Sequence, residues 1–192
     1  MKSRAESQKT RQLILRTAFE EIHKNGFRAT GLNEILARTG LTKGAFYHHF
    51  PNKAALGRAI VEELLEPLVR DIWLNPLEGL DDPLEGLKRM LRETKTDPAS
   101  IGLGCPLNNL AVEMAPVDDE IRRRVNKAYD VWIDGYAQAL ERGKEKGRVA
   151  RDVDSRAAAL FLVATMAGCR ALAKSAQDPG ILLACQETLA DY

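Results

Sequence analysis

Residues 40–50 read Gly40-Leu41-Thr42-Lys43-Gly44-Ala45-Phe46-Tyr47-His48-His49-Phe50, and Pro51-Asn52-Lys53 follow. Thr42 suits a helix N-cap, because its hydroxyl accepts from an otherwise orphaned backbone N–H. Leu41 precedes that cap and Phe46 follows it by four residues, which is the arrangement of a hydrophobic staple. Phe46 and Phe50 share the inner face of the helix, and Lys43, Gly44, Tyr47 and His48 point away from it. Pro51-Asn52 stops the helix, and Asn52 caps the next one. Upstream, Leu32, Ile35 and Leu36 form the apolar face of a second short helix. Thr30 or Gly31 caps its start and Gly40 ends it. A short helix, a tight turn and a short capped helix make a helix-turn-helix over about residues 31–50.

Such a unit lays its second helix in the major groove of duplex DNA, N-terminal residues first. Lys43, Gly44, Ala45, Tyr47 and His48 are then expected to face DNA. Gly44 permits close backbone approach, and the free amides at Thr42–Gly44 favour a phosphate. Tyr47 and His49 can hydrogen-bond phosphates, Lys53 adds another such contact, and Thr30 completes the candidate set. Charge supports this placement. Residues 1–58 carry 11 Lys/Arg and 4 acids, whereas the remainder carries 17 basic and 23 acidic residues. A basic first third on a chain of net charge +1 points to a polyanion at that end. His48-His49 lacks a third ligand nearby, so no metal is expected.

The rest of the chain has a helical apolar period and no convincing strand, so the fold class is all-α. A first helix is expected from about Ser7 to Lys24, ended by Asn25-Gly26. A long fourth helix runs from Lys53 to Trp73, with Leu56, Ile60 and Leu64 at four-residue spacing and a kink at Pro67. Asn75–Pro83 reads as a linker. Further helices are expected at about 84–96, 106–115, 118–146, 155–176 and 180–190. Asp118 caps the longest. Ala157–Ala173 is apolar nearly all round and should be buried on more than one side.

The stretches Thr10–Phe19, Asn25–Thr30, Gly40–Phe50 and Lys53–Leu56 resemble the TetR family of regulators, at many fixed-spacing positions over about residues 8–58. The resemblance implies three N-terminal DNA-binding helices, a linking fourth helix, and a variable helical domain that binds a ligand and dimerises. It implies a DNA-binding domain over 1–58 and an effector-binding and dimerisation domain over 59–192. The implied activity is transcriptional regulation, as a ligand-released repressor on a pseudo-palindromic operator. Gly31 stands where such regulators often carry Ser or Thr, which removes a side-chain phosphate contact there.

No Gly-rich phosphate loop, paired carboxylate motif or nucleophile–base signature is present, so enzymatic activity and a cofactor are not expected. There is no apolar leader, and the most apolar stretch, Ala157–Cys169, is too short to span a bilayer. The expected setting is cytoplasmic, without a membrane partner. Cys105, Cys169 and Cys185 are far apart in sequence, so neither a zinc site nor a disulfide framework is expected. Candidates for an effector pocket are Cys105, Asn108, Asn109, Met114, Trp132, Tyr136 and Met166. The two amides could be satisfied by a ligand, or by a turn or solvent.

Cys105 precedes Pro106 and should be an N-cap, because proline favours the first helical position. The helix dipole would lower its pKa, and Lys174 could lower it further. The Gly-Cys step also resembles a subgroup of TetR-like regulators that respond to electrophiles or oxidants. Small residues at Ala157, Ala158, Ala164, Ala167 and Gly168 allow close helix packing and point to a homodimer through helices 155–176 and 180–190.

Overall fold

The computed structural model describes residues 4–93 and 98–191, and every regular element among them is helical. The head comprises α1 (Arg4–Asn25), α2 (Leu32–Thr39) and α3 (Lys43–His49). Gly26 ends α1 at φ +93°, and Gly40 ends α2 at φ +66°, both in the left-handed region that glycine tolerates. Thr42 caps α3 by accepting from Ala45 N at 3.2 Å, and Asn52 caps α4 by accepting from Ala55 N at 2.7 Å.

A linking helix follows. It consists of α4 (Lys53–Ile60), a π-helical turn at Val61–Leu65, α5 (Glu66–Val69), a second π-helical turn at Arg70–Leu74, and a 3₁₀ turn at Asn75–Leu77. The chain therefore stays helical past Pro67, with a widened turn on each side of it. A proline ring crowds the carbonyl four residues back, and an i→i+5 turn relieves that crowding. The widening also shifts the buried face. Leu56, Ile60, Leu65, Val69 and Trp73 are buried, whereas Leu64 is only half-buried. The regular four-residue spacing that selected Leu64 is broken by the extra residue of the π turn.

The body comprises α6 (Pro83–Glu93), α7 (Pro98–Leu103), α8 (Pro106–Met114), α9 (Asp119–Glu145), α10 (Ser155–Ala176) and α11 (Pro179–Asp191). Positions 94–96 of the expected helix 84–96 lie outside the described residues. The short helix α7 was not expected from the sequence. Its Pro98-Ala99-Ser100 start and Gly102 have no apolar period to reveal it. One hydrophobic core runs unbroken from Ile14, Phe46 and Leu56 through Leu65 and Trp73 to Trp132 and Met166.

Helix α10 packs on α9 and α11. Its buried side carries Ala159, Val163, Met166 and Ala173. Its other side is bare: Leu160, Phe161 and Leu172 are exposed, and Leu183 on α11 joins them. Burial on more than one side is therefore not achieved within one chain. By length and composition α10 could cross a membrane, which the shorter Ala157–Cys169 stretch did not suggest. Such helices also occur in the cores of soluble proteins, and this one packs against three neighbours, α7, α9 and α11.

Candidate functional site

The outer face of α3 is the first element of the site. Phe46 and Phe50 anchor it, at 0% and 2% exposure. Tyr47 stands edge-on to Phe46 with its ring 5.4 Å away, yet is itself exposed. Lys43, Gly44 and His48 are exposed as well, and Ala45 and His49 are half-buried. The candidate residues on α3 thus share one accessible surface, opposite the anchoring phenylalanines. Arg11 fixes this unit to the linking helix. Its guanidinium stacks over Phe50 at 4.9 Å and donates two bonds to Glu63 at 2.5 and 2.6 Å.

Two candidates sit differently. Lys53 lies over the Phe27 ring at 4.8 Å and donates to the Arg28 carbonyl at 3.4 Å. Thr30 is fully buried, and its hydroxyl donates to the Gly26 carbonyl at 2.8 Å. It closes the turn after α1 and does not join the accessible face of α3. Gly31 is the actual cap of α2, with Glu34 accepting from its N–H at 3.1 Å.

The second element is the junction between head and body. Glu113, on α8, accepts from the backbone N–H groups of Phe27 and Arg28 at 2.7 and 2.6 Å. At the other end of α8, His23 on α1 contacts the Gly104 carbonyl through Nε2 at 3.0 Å. The segment from Gly104 to Glu113 therefore grips the head at two points. Sequence reading missed both, because each pairs residues more than 80 positions apart. Close packing adds to the grip: a Cβ on Gly57 would fall 2.5 Å from the Phe27 ring and 3.2 Å from Ile121.

Burial lowers the His23 pKa below its ordinary 6.5, aided by the charges of Lys174 and Arg170 and opposed by the Gly104 bond. The neutral ring then donates to Gly104. A depressed histidine pKa means that the unfolded chain takes up the proton first. This contribution to stability is full above 6.5 and declines as pH falls toward the folded value. Thermal melts from about pH 8 to about pH 5 should show that decline, and His23→Gln should flatten it. An unchanged slope in the variant would assign the decline to other groups.

The third element is a cavity of about 80 Å³ between the linking helix, the start of α8, α9 and α10. Of the expected pocket residues, Cys105, Trp132 and Met166 line it. Asn108, Asn109, Met114 and Tyr136 do not. Asn109 donates to the Leu103 carbonyl at 2.7 Å, and Asn108 accepts from the Tyr129 hydroxyl at 3.3 Å, so each amide has a protein partner. Met114 and Tyr136 are packed into the core. Among the wall residues missed are Trp73 and Arg170. Trp73 stacks on Trp132 at 5.2 Å.

Cys105 is the N-cap of α8, as Pro106 implied. Its pKa moves in the opposite direction to the one expected. Burial pushes the thiol up, and the N–H groups of Asn108 and Leu107 and the charge of Arg170 only partly oppose it. The expected cation, Lys174, instead lies against Gly104, where a Cβ would meet its side chain at 2.9 Å. Cys169 and Cys185 form a disulfide that joins α10 to α11 across 6.2 Å between Cα atoms. The sixteen-residue separation hid this pair, because the turn between α10 and α11 brings their facing sides together.

Comparison with known proteins places this architecture. Residues 14–60 match the model of bacterial regulatory proteins of the tetR family, and residues 84–187 match a tetracyclin repressor-like C-terminal domain. The chain is 27% identical to the HTH-type transcriptional repressor DhaR of Mycobacterium sp. (strain GP1), covering 82% of this chain and 79% of that protein. It is 30% identical to the transcriptional regulator AcuR of Cereibacter sphaeroides, over 77% of this chain and 68% of that protein. A TetR transcriptional regulator from Chloroflexus aurantiacus superposes with a TM-score of 0.84 at 26% identity, covering 98% and 96% of the two chains. With the helix-turn-helix and the helical body both matched, the chain belongs to the tetR family of DNA-binding transcriptional regulators.

Proposed function

We propose that the chain is a ligand-released repressor that binds a pseudo-palindromic operator as a homodimer in the cytoplasm. The observation that carries the DNA contact is the accessible face of α3, where Lys43, Gly44, Tyr47 and His48 stand together. The division of labour follows: residues 1–58 read DNA, and residues 59–192 bind the effector and the second subunit. The exposed Phe161, Leu172 and Leu183 on α10 and α11 support the dimer, because large apolar side chains of this kind are covered in an interface. Two heads then meet two half-sites one helical turn or more apart. The effector occupies the cavity beneath the linking helix. It acts by preferring one spacing of the two heads over another, since a ligand shifts an equilibrium only by its differential affinity. The α3 surface itself stays free of it.

Selection of bound duplexes from a random pool should return a pseudo-palindrome, and recovery of isolated half-sites would refute the dimer. On that operator, Lys43→Ala should weaken binding to all DNA and lower the salt slope by about 1. Tyr47→Ala should harm operator binding more than random-DNA binding. Equal losses on both would reduce Tyr47 to a backbone contact.

A further inference from the structure

Two polar groups in the cavity wall lack a partner suited to their chemistry, the buried Trp132 N–H and the half-buried Arg170 guanidinium. Trp132 is 3% exposed, and its Nε1–H lies near the Tyr136 hydroxyl without completing a hydrogen bond to it. Arg170 projects from α10 into the same cavity, and among the described residues no carboxylate pairs with it. The one acidic group facing Arg170 is the Cys105 thiol, and burial holds that thiol in its neutral form. The guanidinium therefore stays uncompensated. His23, one helix away, feels the same excess of positive charge from Arg170 and Lys174.

The remaining wall is apolar: Leu65, Val69, Trp73 and Met166. Leu68 and Ile72, both partly exposed, stand at the rim. A buried donor without an acceptor is costly, and a half-buried cation without an anion is less well solvated than one on the open surface. A single ligand relieves both if it brings an anionic acceptor on an apolar body.

We infer that the cavity binds a small organic carboxylate, with its charged end on Arg170 and the Trp132 N–H and its apolar end against Trp73 and Met166. This inference rests on the proposed effector site and gives the chemical class of the ligand. A volume of about 80 Å³, well under the roughly 150 Å³ that accepts benzene, limits the ligand to a short-chain acid. Planar guanidinium favours a carboxylate over a neutral amide of the same shape, because charge-assisted bonds are roughly twice as strong as neutral ones.

The chain contains two tryptophans, Trp73 and Trp132, and both line the cavity. Intrinsic fluorescence of the full-length protein, without DNA, therefore reports occupancy. Propionate and butyrate are titrated beside propionamide and butyramide. At least one acid should perturb the fluorescence at about ten-fold lower concentration than its amide. Arg170→Gln should abolish that preference, and Arg170→Lys should retain part of it. If Arg170→Gln loses its helical circular dichroism, Trp132→Phe serves instead. It removes the N–H donor and should weaken the acid more than the amide, with Trp73 still reporting occupancy.

Equal response to acid and amide, no response to any acid, or a preference that survives Arg170→Gln would each overturn the inference. DNA binding is followed separately by anisotropy. An acid that binds with the expected preference but leaves operator affinity unchanged would overturn ligand release and keep the carboxylate site.

Discussion

Replacing Phe46 by alanine is expected to cost about 3–5 kcal/mol and to remove operator binding, because the ring is fully buried beneath the reading surface. It packs with Tyr47 and with Phe50, at 5.4 and 5.9 Å between ring centroids. The head has few other large buried side chains, among them Ile14, Leu15, Ile35 and Leu56. A loss of this size is a large share of the roughly 5–15 kcal/mol that holds an ordinary domain together. Calorimetry should place the melting temperature roughly 10 °C lower. Tyr47→Ala, one position along, should leave stability within about 0.5 kcal/mol, since its side chain is on the surface. The pair separates folding from recognition: one variant loses DNA because the head melts, the other because a contact is gone. A Phe46→Ala protein that melts like the wild type would mean that the head is held chiefly by its docking on the body.

Glu113→Ala should uncouple the head from α8. One carboxylate satisfies two consecutive backbone N–H groups, at Phe27 and Arg28. Hydrogen bonds to a charged group contribute about 1.5–3 kcal/mol each when shielded, and the exposed position of Arg28 places this pair at the low end. A combined loss of about 2 kcal/mol corresponds to roughly a thirty-fold change in the docking equilibrium. Hydrogen exchange should show both amides losing protection. The change in operator affinity produced by a bound effector should shrink toward none, with cavity occupancy intact. Glu113→Gln keeps one acceptor oxygen and should preserve about half of the effect. Unchanged coupling in Glu113→Ala would assign transmission to the linking helix alone.

Much of this molecule was legible in the sequence. Thr42, Asn52 and Asp118 announce helix starts through local side-chain-to-backbone bonds, and each caps as expected. Gly26 and Gly40 mark ends for an equally local reason. The anchoring role of Phe46 and Phe50 follows from spacing. What was hidden depends on residues distant in sequence. Thr30 is a capping type beside a glycine, and only the folded turn shows that its hydroxyl bonds backward to Gly26. Glu113 reads as one more solvated acid until the turn after α1 arrives beside it. Lys174 and Arg170 lie four residues apart on one helix, so sequence alone could not choose which would approach Cys105. Cys169 and Cys185 required the fold of α10 against α11.

The π turn at Val61–Leu65 also bears on how this chain is lined up with its relatives. A turn of that kind accommodates one residue more than the α-helix around it. On one side of it the stripe Leu56 and Ile60 faces the head, and on the other Leu65, Val69 and Trp73 face the cavity. A relative one residue shorter here would close the turn to an ordinary α-helix and keep both stripes in place. A gap of a single position within 61–65 is therefore structurally silent. Alignments that force this segment to be continuous would put Leu64 opposite a neighbour's buried leucine, and would misassign every cavity residue that follows on the linking helix.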